Sequence, residues 1–175
     1  QTFSCDIETD GIEATTIWCV GVHNTYTQKT KVFYKAEEFK EWLEDRSICH
    51  TLVFHNGIAF DVPVLEELWG IDFKDVFIHD TLLLSQLDNP KREGGHSLAS
   101  WGEYLDYPKG DDEDWSKLST EMVEYCLRDA EITSKVYKIL MQKGLSKDAI
   151  ELEYSTKRQC SIQEKNGWLF DEHGA

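Results

Sequence analysis

Alternating apolar and polar residues near the N-terminus predict a β-strand that carries two acidic side chains. In FSCDIETDG (residues 3–11) the apolar residues occupy the odd positions, which is the two-residue period of a strand. Asp6 and Glu8 would then lie on the same face, roughly 7 Å apart along the strand. Two carboxylates held this close repel each other and resist ionisation unless a cation lies between them.

Later segments show the periods of further strands and helices. Two β-rich segments, residues 16–23 and 29–35, flank a short turn and predict a hairpin. The apolar run at 51–55 predicts a buried parallel strand. Periodic apolar positions predict helices over residues 36–46, 59–69, 80–87, 96–105, 119–142 and 146–165. A strand meander followed by mixed strands and helices predicts an α/β sandwich, with a boundary near residue 144.

One acidic residue interrupts the apolar face of the longest predicted helix. That face consists of Met122, Cys126, Ala130, Thr133, Val136 and Leu140. At about 100° per residue, Asp129 falls in the middle of this stripe, and Tyr125 is its neighbour one turn earlier. An ionised carboxylate on a core face is costly unless it is paired or bound to a metal. A protonated Asp129, or one that caps a neighbouring helix, is the structural alternative.

Two further acidic residues begin predicted helices. Asp61 and Asp80 each precede an apolar helical segment, where a carboxylate stabilises the free backbone amides and the helix dipole. Taken singly, each is interpreted as a helix cap. For Asp80 this interpretation is retained.

Asp61 gains a second interpretation as a member of a set of acidic residues that come from separate predicted elements. The set is Asp6, Glu8, Asp61 and Asp129. In a compact sandwich these residues can converge, and ligands that offer only oxygen suit Mg²⁺ or Mn²⁺ better than zinc. Two such ions, about 4 Å apart and held by acidic residues, are a recurrent arrangement for phosphodiester hydrolysis. The ions would also neutralise the repulsion within the set.

Composition limits the class of protein. The chain has 175 residues, of which 41% are hydrophobic, enough for one core. Its single cysteines are Cys5, Cys19, Cys49, Cys126 and Cys160. They lack zinc spacing and indicate reduced thiols in a cytoplasmic setting. No apolar run approaches the ~18 residues of a membrane span. The first residue is Gln and no signal peptide follows, so we expect a piece of a longer protein.

The formal net charge of −15 argues against nucleic acid, because phosphate binding normally uses a basic surface. The acidic residues expected at exposed positions are Glu37, Glu38, Glu41, Glu44, Asp111, Asp112, Glu113 and Asp114. A few nucleotides can still be held by stacking and by metal–phosphate contacts. We therefore expect weak DNA binding, with Lys91, Arg92 and Lys109 either contacting phosphates or serving as plain surface.

Three motifs resemble those of the DEDD superfamily of 3′→5′ exonucleases, in its tyrosine branch. The motifs are DIETDG (6–11), HNGIAFD (55–61) and YCLRD (125–129). FHNGIAFDVPVL, HDTLLLSQL and HSLASWG are most similar to the proofreading domain of family A DNA polymerases from T7-like phages. The resemblance covers about residues 2–142. It implies a ribonuclease H-like sandwich, with a mixed five-stranded sheet flanked by helices.

The C-terminal segment extends the resemblance. IELEYSTKRQCSIQEKNGWLFDEHGA (150–175) is similar to the connection that leads into the polymerase domain of these enzymes. The resemblance thus implies an exonuclease domain over 1–144, and a helical linker with the start of the polymerase domain over 145–175. It also implies a polymerase domain in cis and a candidate processivity factor as partners. The setting would be the cytoplasm, that of a bacterial host if a phage encodes the protein.

The resemblance implies roles for the matched catalytic positions. Asp6, Glu8, Asp61 and Asp129 would hold two Mg²⁺ or Mn²⁺ ions, with Asp6 bridging both. Tyr125 would orient the attacking water, since a hydroxyl with a reference pKa of about 10 is a better hydrogen-bond partner than a base. Glu8 would share that water.

The resemblance also implies substrate contacts. Thr9 and Ile12 match positions that contact the terminal nucleotide, with Ile12 as a wedge that favours a frayed end. Asn56 and Phe60 match positions that contact the penultimate nucleotide. His96 is a candidate substrate contact, and the alternative for it is an exposed residue at a helix start.

Together these implications predict a 3′→5′ exonuclease that acts on single-stranded or frayed DNA. It would release nucleoside monophosphates as the proofreading part of a polymerase, and the fragment would be monomeric. One alternative is a stand-alone exoribonuclease, against which the NGWLFD segment argues. The other is a non-catalytic scaffold with an exonuclease fold, against which the complete set of carboxylates argues.

Overall fold

A mixed sheet with strand order β3-β2-β1-β4-β5 organises the chain. The computed structural model describes residues 1–45, 51–108 and 116–168. The strands in these ranges are β1 (Thr2–Thr9), β2 (Ile17–Asn24), β3 (Thr30–Phe33), β4 (Thr51–Phe54) and β5 (Phe77–Asp80). β1 pairs antiparallel with β2 and parallel with β4, and β5 adds parallel to β4. The described residues thus confirm the mixed five-stranded sheet and the predicted meander.

Helices flank this sheet close to the predicted ranges. They are α1 (Ala36–Glu44), α2 (Asp61–Trp69), α3 (Thr81–Asp88), α4 (Leu98–Tyr104), α5 (Thr120–Met141) and α6 (Lys147–Asn166). The hydroxyl of Ser119 accepts a hydrogen bond from the Met122 amide and so begins α5. Pro63 lies in the first turn of α2, where its missing amide breaks no helical hydrogen bond.

Strand β5 is an element that the sequence pattern did not reveal. It has four residues and is followed directly by α3, so the apolar pattern was assigned to the helix alone. In the structure Asp80 ends the strand. Its side chain accepts hydrogen bonds from the amides of Leu82 and Leu83, which confirms that Asp80 caps α3.

The two faces of β1 pack against different helices. On one face Phe3 meets Trp42 of α1, with ring centroids 4.9 Å apart. On the other face Cys126 of α5 donates a hydrogen bond to the carbonyl of Asp6, at 3.4 Å. A Cβ atom on Gly21, which pairs with Asp6 across the ladder, would lie 2.8 Å from the Cys126 sulfur. The absence of a side chain at Gly21 therefore lets α5 approach the centre of the sheet.

Helix α6 is anchored through its first half. Ile150 and Tyr154 are its buried residues, and the helix packs against α3. The boundary at residue 144 stays a prediction. Across the described ranges, no helix has both the length and the apolar character needed to cross a bilayer.

The cysteines match their predicted reduced state where the structure describes them. Cys5, Cys19 and Cys126 are buried thiols, whereas Cys160 is an exposed thiol. Cys49 lies outside the described residues.

Candidate active site

A pocket of about 400 Å³ lies at the carboxyl ends of β1 and β4. This is the edge at which ligands bind in sheets with parallel strands. Its lining is formed by Asp6, Ile7, Glu8, Thr9, Gly11, Ile12, His55, Asn56, Phe60, Asp61, Tyr125 and Asp129. The pocket therefore gathers side chains from β1 and the turn after it, from the loop after β4, and from α2 and α5.

The two acidic residues of β1 face the α5 side of the sheet together. Ligand atoms of Asp6, Glu8 and the Cys126 thiol lie within 4.8 Å of one another. Burial raises the pKa of the Cys126 thiol, so this sulfur stays protonated and is a poor partner for a hard cation. The oxygen-only ligand set predicted from the sequence is thus compatible with the neighbouring thiol.

The first residue of α2 turns its carboxylate into the same pocket. Asp61 is buried, and burial raises its pKa to about 7. The negative charges of Asp80 and Asp129 act in the same direction, whereas a hydrogen bond from the Ile7 amide lowers the pKa. Asp61 lines the same pocket as Asp6 and Glu8.

Helix α5 supplies the last acidic residue. Asp129 is buried, and Tyr125 is half-buried one turn earlier, where both line the pocket. The carboxylate on the apolar stripe therefore faces the other acidic residues. All the predicted metal ligands and the predicted water-orienting tyrosine line one cavity.

The candidate substrate contacts fall into two groups. Thr9, Ile12, Asn56 and Phe60 line the pocket, and Ile12 is 91% exposed at its rim. His96 is not among the described residues that line the pocket. His96 lies next to the start of α4, and its Nδ1 atom is 2.8 Å from the hydroxyl of Ser85.

His55 is a pocket residue that the sequence analysis missed. The Thr81 hydroxyl donates to the Phe54 carbonyl at 3.1 Å, and His55 Nδ1 lies 2.9 Å from the same hydroxyl. Since that hydroxyl has only one proton, His55 Nδ1 is the donor in this pair. The signal available in the sequence was the position of His55, directly after a buried parallel strand and before Asn56.

The candidate phosphate contacts differ in their surroundings. Arg92 lies over the Trp101 ring at 3.9 Å, and it donates hydrogen bonds to Ser100 Oγ at 2.7 Å and to the Gly95 carbonyl. Its guanidinium is therefore engaged within the chain rather than displayed for phosphate. Lys91 is exposed. Lys109, the acidic run 111–114 and the end of the NGWLFD segment lie outside the described residues.

The donor set fits a divalent cation. Asp6, Glu8, Asp61 and Asp129 offer carboxylate oxygens to one cavity, which is the chemistry that Mg²⁺ and Mn²⁺ prefer. Burial disfavours the charged form of Asp61, and a bound cation would reverse this effect.

Comparison with known proteins agrees with this architecture. Residues 4–82 match the family described as the RNase_H superfamily, and the chain has an RNase H-like fold. It is 25% identical to the DNA-directed DNA polymerase of Escherichia phage T7, over an alignment of 231 residues that takes in 95% of this chain. The chain spans 33% of that polymerase's length, and 33% of the length of the phage T3 polymerase.

Solved structures also resemble the chain over most of its length. Brucella melitensis NrnC with bound Mg²⁺ has a TM-score of 0.71 and 25% identity, and the match covers 99% of this chain and 90% of that one. The RNase D of Trypanosoma brucei, at 14% identity and a TM-score of 0.63, shares the fold, with coverage of 92% and 64%.

Proposed function

We propose that this chain is a 3′→5′ exonuclease that releases nucleoside monophosphates from the end of a single strand by metal-dependent hydrolysis. One observation carries the proposal: Asp6, Glu8, Asp61 and Asp129 line one pocket together with Tyr125. The similarity to NrnC with bound Mg²⁺ supports the metal.

The acidic residues would hold the metals and leave the tyrosine to place the water. Two divalent ions held by the carboxylates would supply the Lewis acidity that activates water and neutralises charge on the phosphate. The Tyr125 hydroxyl, one turn before Asp129 in the same pocket, would hydrogen-bond that water. The Glu8 carboxylate can accept the second hydrogen bond and fix the direction of attack.

The walls of the pocket would hold the strand end. Ile12 projects at the rim and can pack against the terminal base, while Phe60 offers an aromatic surface for the next base. His55 and Asn56 add polar groups on the same wall. Stacking of this kind does not use a basic surface, so it is compatible with the net charge of −15.

Two settings for this activity have separate support. The match to the T7 polymerase over 95% of this chain favours a proofreading domain with a polymerase domain in cis, DNA as substrate and a processivity factor in a bacterial host cytoplasm. The match to NrnC takes in 99% of this chain and 90% of that protein, which favours a stand-alone exoribonuclease. NrnC has also been solved bound to pGG. The near-complete coverage of both chains gives the second setting the stronger structural support.

A direct assay tests the activity and separates the settings. Single-stranded DNA and RNA oligonucleotides of the same sequence, labelled at the 5′ end, are incubated with the protein and Mg²⁺. We expect a ladder that shortens from the 3′ end and stops when a chelator is added. Faster shortening of DNA supports the proofreading setting, and faster shortening of RNA supports the exoribonuclease. No metal-dependent shortening of either strand would refute the proposal.

A further inference from the structure

Asp80 touches the backbone of the loop that builds one wall of the pocket. This residue is 1% exposed at the end of β5. Its Oδ1 accepts a hydrogen bond from the Asn56 amide at 3.0 Å, and its Oδ2 accepts one from the Ile58 amide at 3.1 Å. Oδ1 also accepts the Leu82 amide at 3.0 Å, within the α3 cap. One carboxylate therefore joins the start of α3 to the loop after β4.

The loop held by Asp80 has a constrained backbone. Asn56 adopts a φ of 65°, in the left-handed region that costs energy for a residue other than glycine. At Gly57 a Cβ atom would lie 2.1 Å from the Cβ of Phe54, so only glycine fits where the loop packs against the end of β4. Such a conformation persists only when its surroundings hold it.

Residues of the same loop form much of the pocket wall. His55, Asn56 and Phe60 line it, and Asp61 follows at the start of α2. Thr81, next to Asp80, contacts the His55 ring at 2.9 Å. A change in the position of the loop would therefore move the candidate substrate contacts and one candidate metal ligand together.

Helix α6 supports Asp80 from the outside. The hydroxyl of the buried Tyr154 accepts a hydrogen bond from the Asp80 amide at 3.0 Å and lies 3.1 Å from His79 Nδ1. Burial lowers the pKa of His79 to about 4, so this ring is neutral and Nδ1 can accept the tyrosine proton. Tyr154 thus connects the helix to the strand end that carries Asp80.

We propose that Asp80 is a positioning residue for the candidate active site, and that Tyr154 holds Asp80 in place from α6. The inference rests on the proposed function and adds a clamp that touches neither substrate nor metal. A carboxylate suits the clamp because both of its oxygens accept hydrogen bonds. An asparagine would offer one acceptor and one donor, and the donor would face a backbone amide and leave it unsatisfied.

Kinetics of Asp80→Asn and Tyr154→Phe test the clamp, with Ser97→Ala as the matched control. Ser97 caps α4 through the Ser100 amide, at 3.2 Å, so its replacement removes a helix cap away from the loop. We expect Asp80→Asn to raise KM for the oligonucleotide about tenfold and to lower kcat. Tyr154→Phe should change both in the same directions by less, and Ser97→Ala should change neither.

Measuring KM and kcat separately distinguishes positioning from a loss of folded protein. A purely structural defect reduces the concentration of active enzyme, which lowers the apparent kcat and leaves KM unchanged. Wild-type KM in Asp80→Asn would overturn the inference. If Asp80→Asn does not fold, Tyr154→Phe retains the test, because it removes one hydroxyl and keeps the ring.

Amide hydrogen exchange tests the clamp without any activity. We expect exchange at Asn56 and Ile58 to accelerate in Asp80→Asn and to match the wild type in Ser97→Ala. Unchanged exchange at both amides in Asp80→Asn would overturn the inference. If the wild-type protein shows no metal-dependent hydrolysis, the proposed function fails. The exchange rates at Asn56 and Ile58 still show whether Asp80 holds the loop.

Discussion

Gly21 and Cys126 share one space between the sheet and α5: a Cβ atom on Gly21 would lie 2.8 Å from the sulfur of Cys126. Gly21 pairs with Asp6, and Cys126 lies about one turn before Asp129 in α5. The close approach of helix and strand at this point is what brings the carboxylate of α5 to the carboxylates of β1.

We predict that Gly21→Ala destabilises the protein by about 1–3 kcal/mol, because the added methyl group overpacks this contact. It should also weaken hydrolysis, since α5 must move away from β1. Denaturant unfolding and the oligonucleotide assay measure the two effects. The double variant Gly21→Ala with Cys126→Ala is the control, because removal of the sulfur makes room for the methyl group. A wild-type unfolding midpoint in Gly21→Ala would contradict the packing argument.

The buried carboxyl of Asp61 predicts a pH dependence of stability in the metal-free protein. Its pKa is raised from 3.8 to about 7 in the folded state, so the folded protein holds this proton more tightly than the unfolded chain. The protonated Asp61 carboxyl therefore contributes its full stabilisation of the folded state below pH 3.8, and this stabilisation is lost as the pH rises through about 7. The Asp61→Asn variant should not lose this stability. At pH 8 its free energy of unfolding should exceed that of the wild type by on the order of 2–4 kcal/mol.

Unfolding in chelator across this pH range checks the Asp61 prediction. The difference in unfolding free energy between Asp61→Asn and wild type should grow from acid to neutral pH. A constant difference would mean that Asp61 titrates alike in the folded and unfolded chains.

Divalent ions should stabilise the wild-type protein in a saturable way. A ligand that binds only the folded state at one hundred times its Kd adds about 2.7 kcal/mol. Asp6→Ala should abolish hydrolysis and the stabilisation by Mg²⁺, yet keep or raise the stability in chelator, because it relieves repulsion among the acidic residues. Thermal melting with and without Mg²⁺ measures this.

Asp72→Asn is the matched control for the metal experiment. Asp72 is an exposed carboxylate 2.8 Å from Lys74, away from the residues that line the pocket. The thermal stability of the Asp72→Asn variant should rise with Mg²⁺ as that of the wild type does. Full hydrolysis by Asp6→Ala would refute the assignment of Asp6 as a ligand.

Tyr125→Phe separates the placement of water from the binding of metal. The ring remains beside Asp129, but the hydroxyl that would orient the water is lost. We expect kcat to fall about tenfold or more, with an unchanged KM and an unchanged thermal shift by Mg²⁺. A wild-type kcat would exclude the hydroxyl from the reaction.

Local patterns were enough to find the elements and the acidic residues they carry. The two-residue period of β1 placed Asp6 and Glu8 on one face, and the helical period of α5 placed Asp129 on a buried stripe beside Tyr125. Such patterns depend only on backbone geometry, which repeats within a few residues. Strand β5 was missed because it leads directly into α3 with no turn residue between them, so its residues did not stand apart from the helical pattern.

Contacts between distant residues decided how these elements form a site. Tertiary packing at Gly21 brings α5 to β1. The parallel pairing of β4 with β1 brings His55 and Asp61 to the same edge of the sheet. The amides of Asn56 and Ile58 donate hydrogen bonds to Asp80, which is distant in sequence. The packing of the Arg92 guanidinium on the Trp101 ring is likewise a tertiary contact. A hydrogen bond or ring contact across many residues leaves no periodic trace in the chain, because its partners are chosen by the fold and not by their spacing.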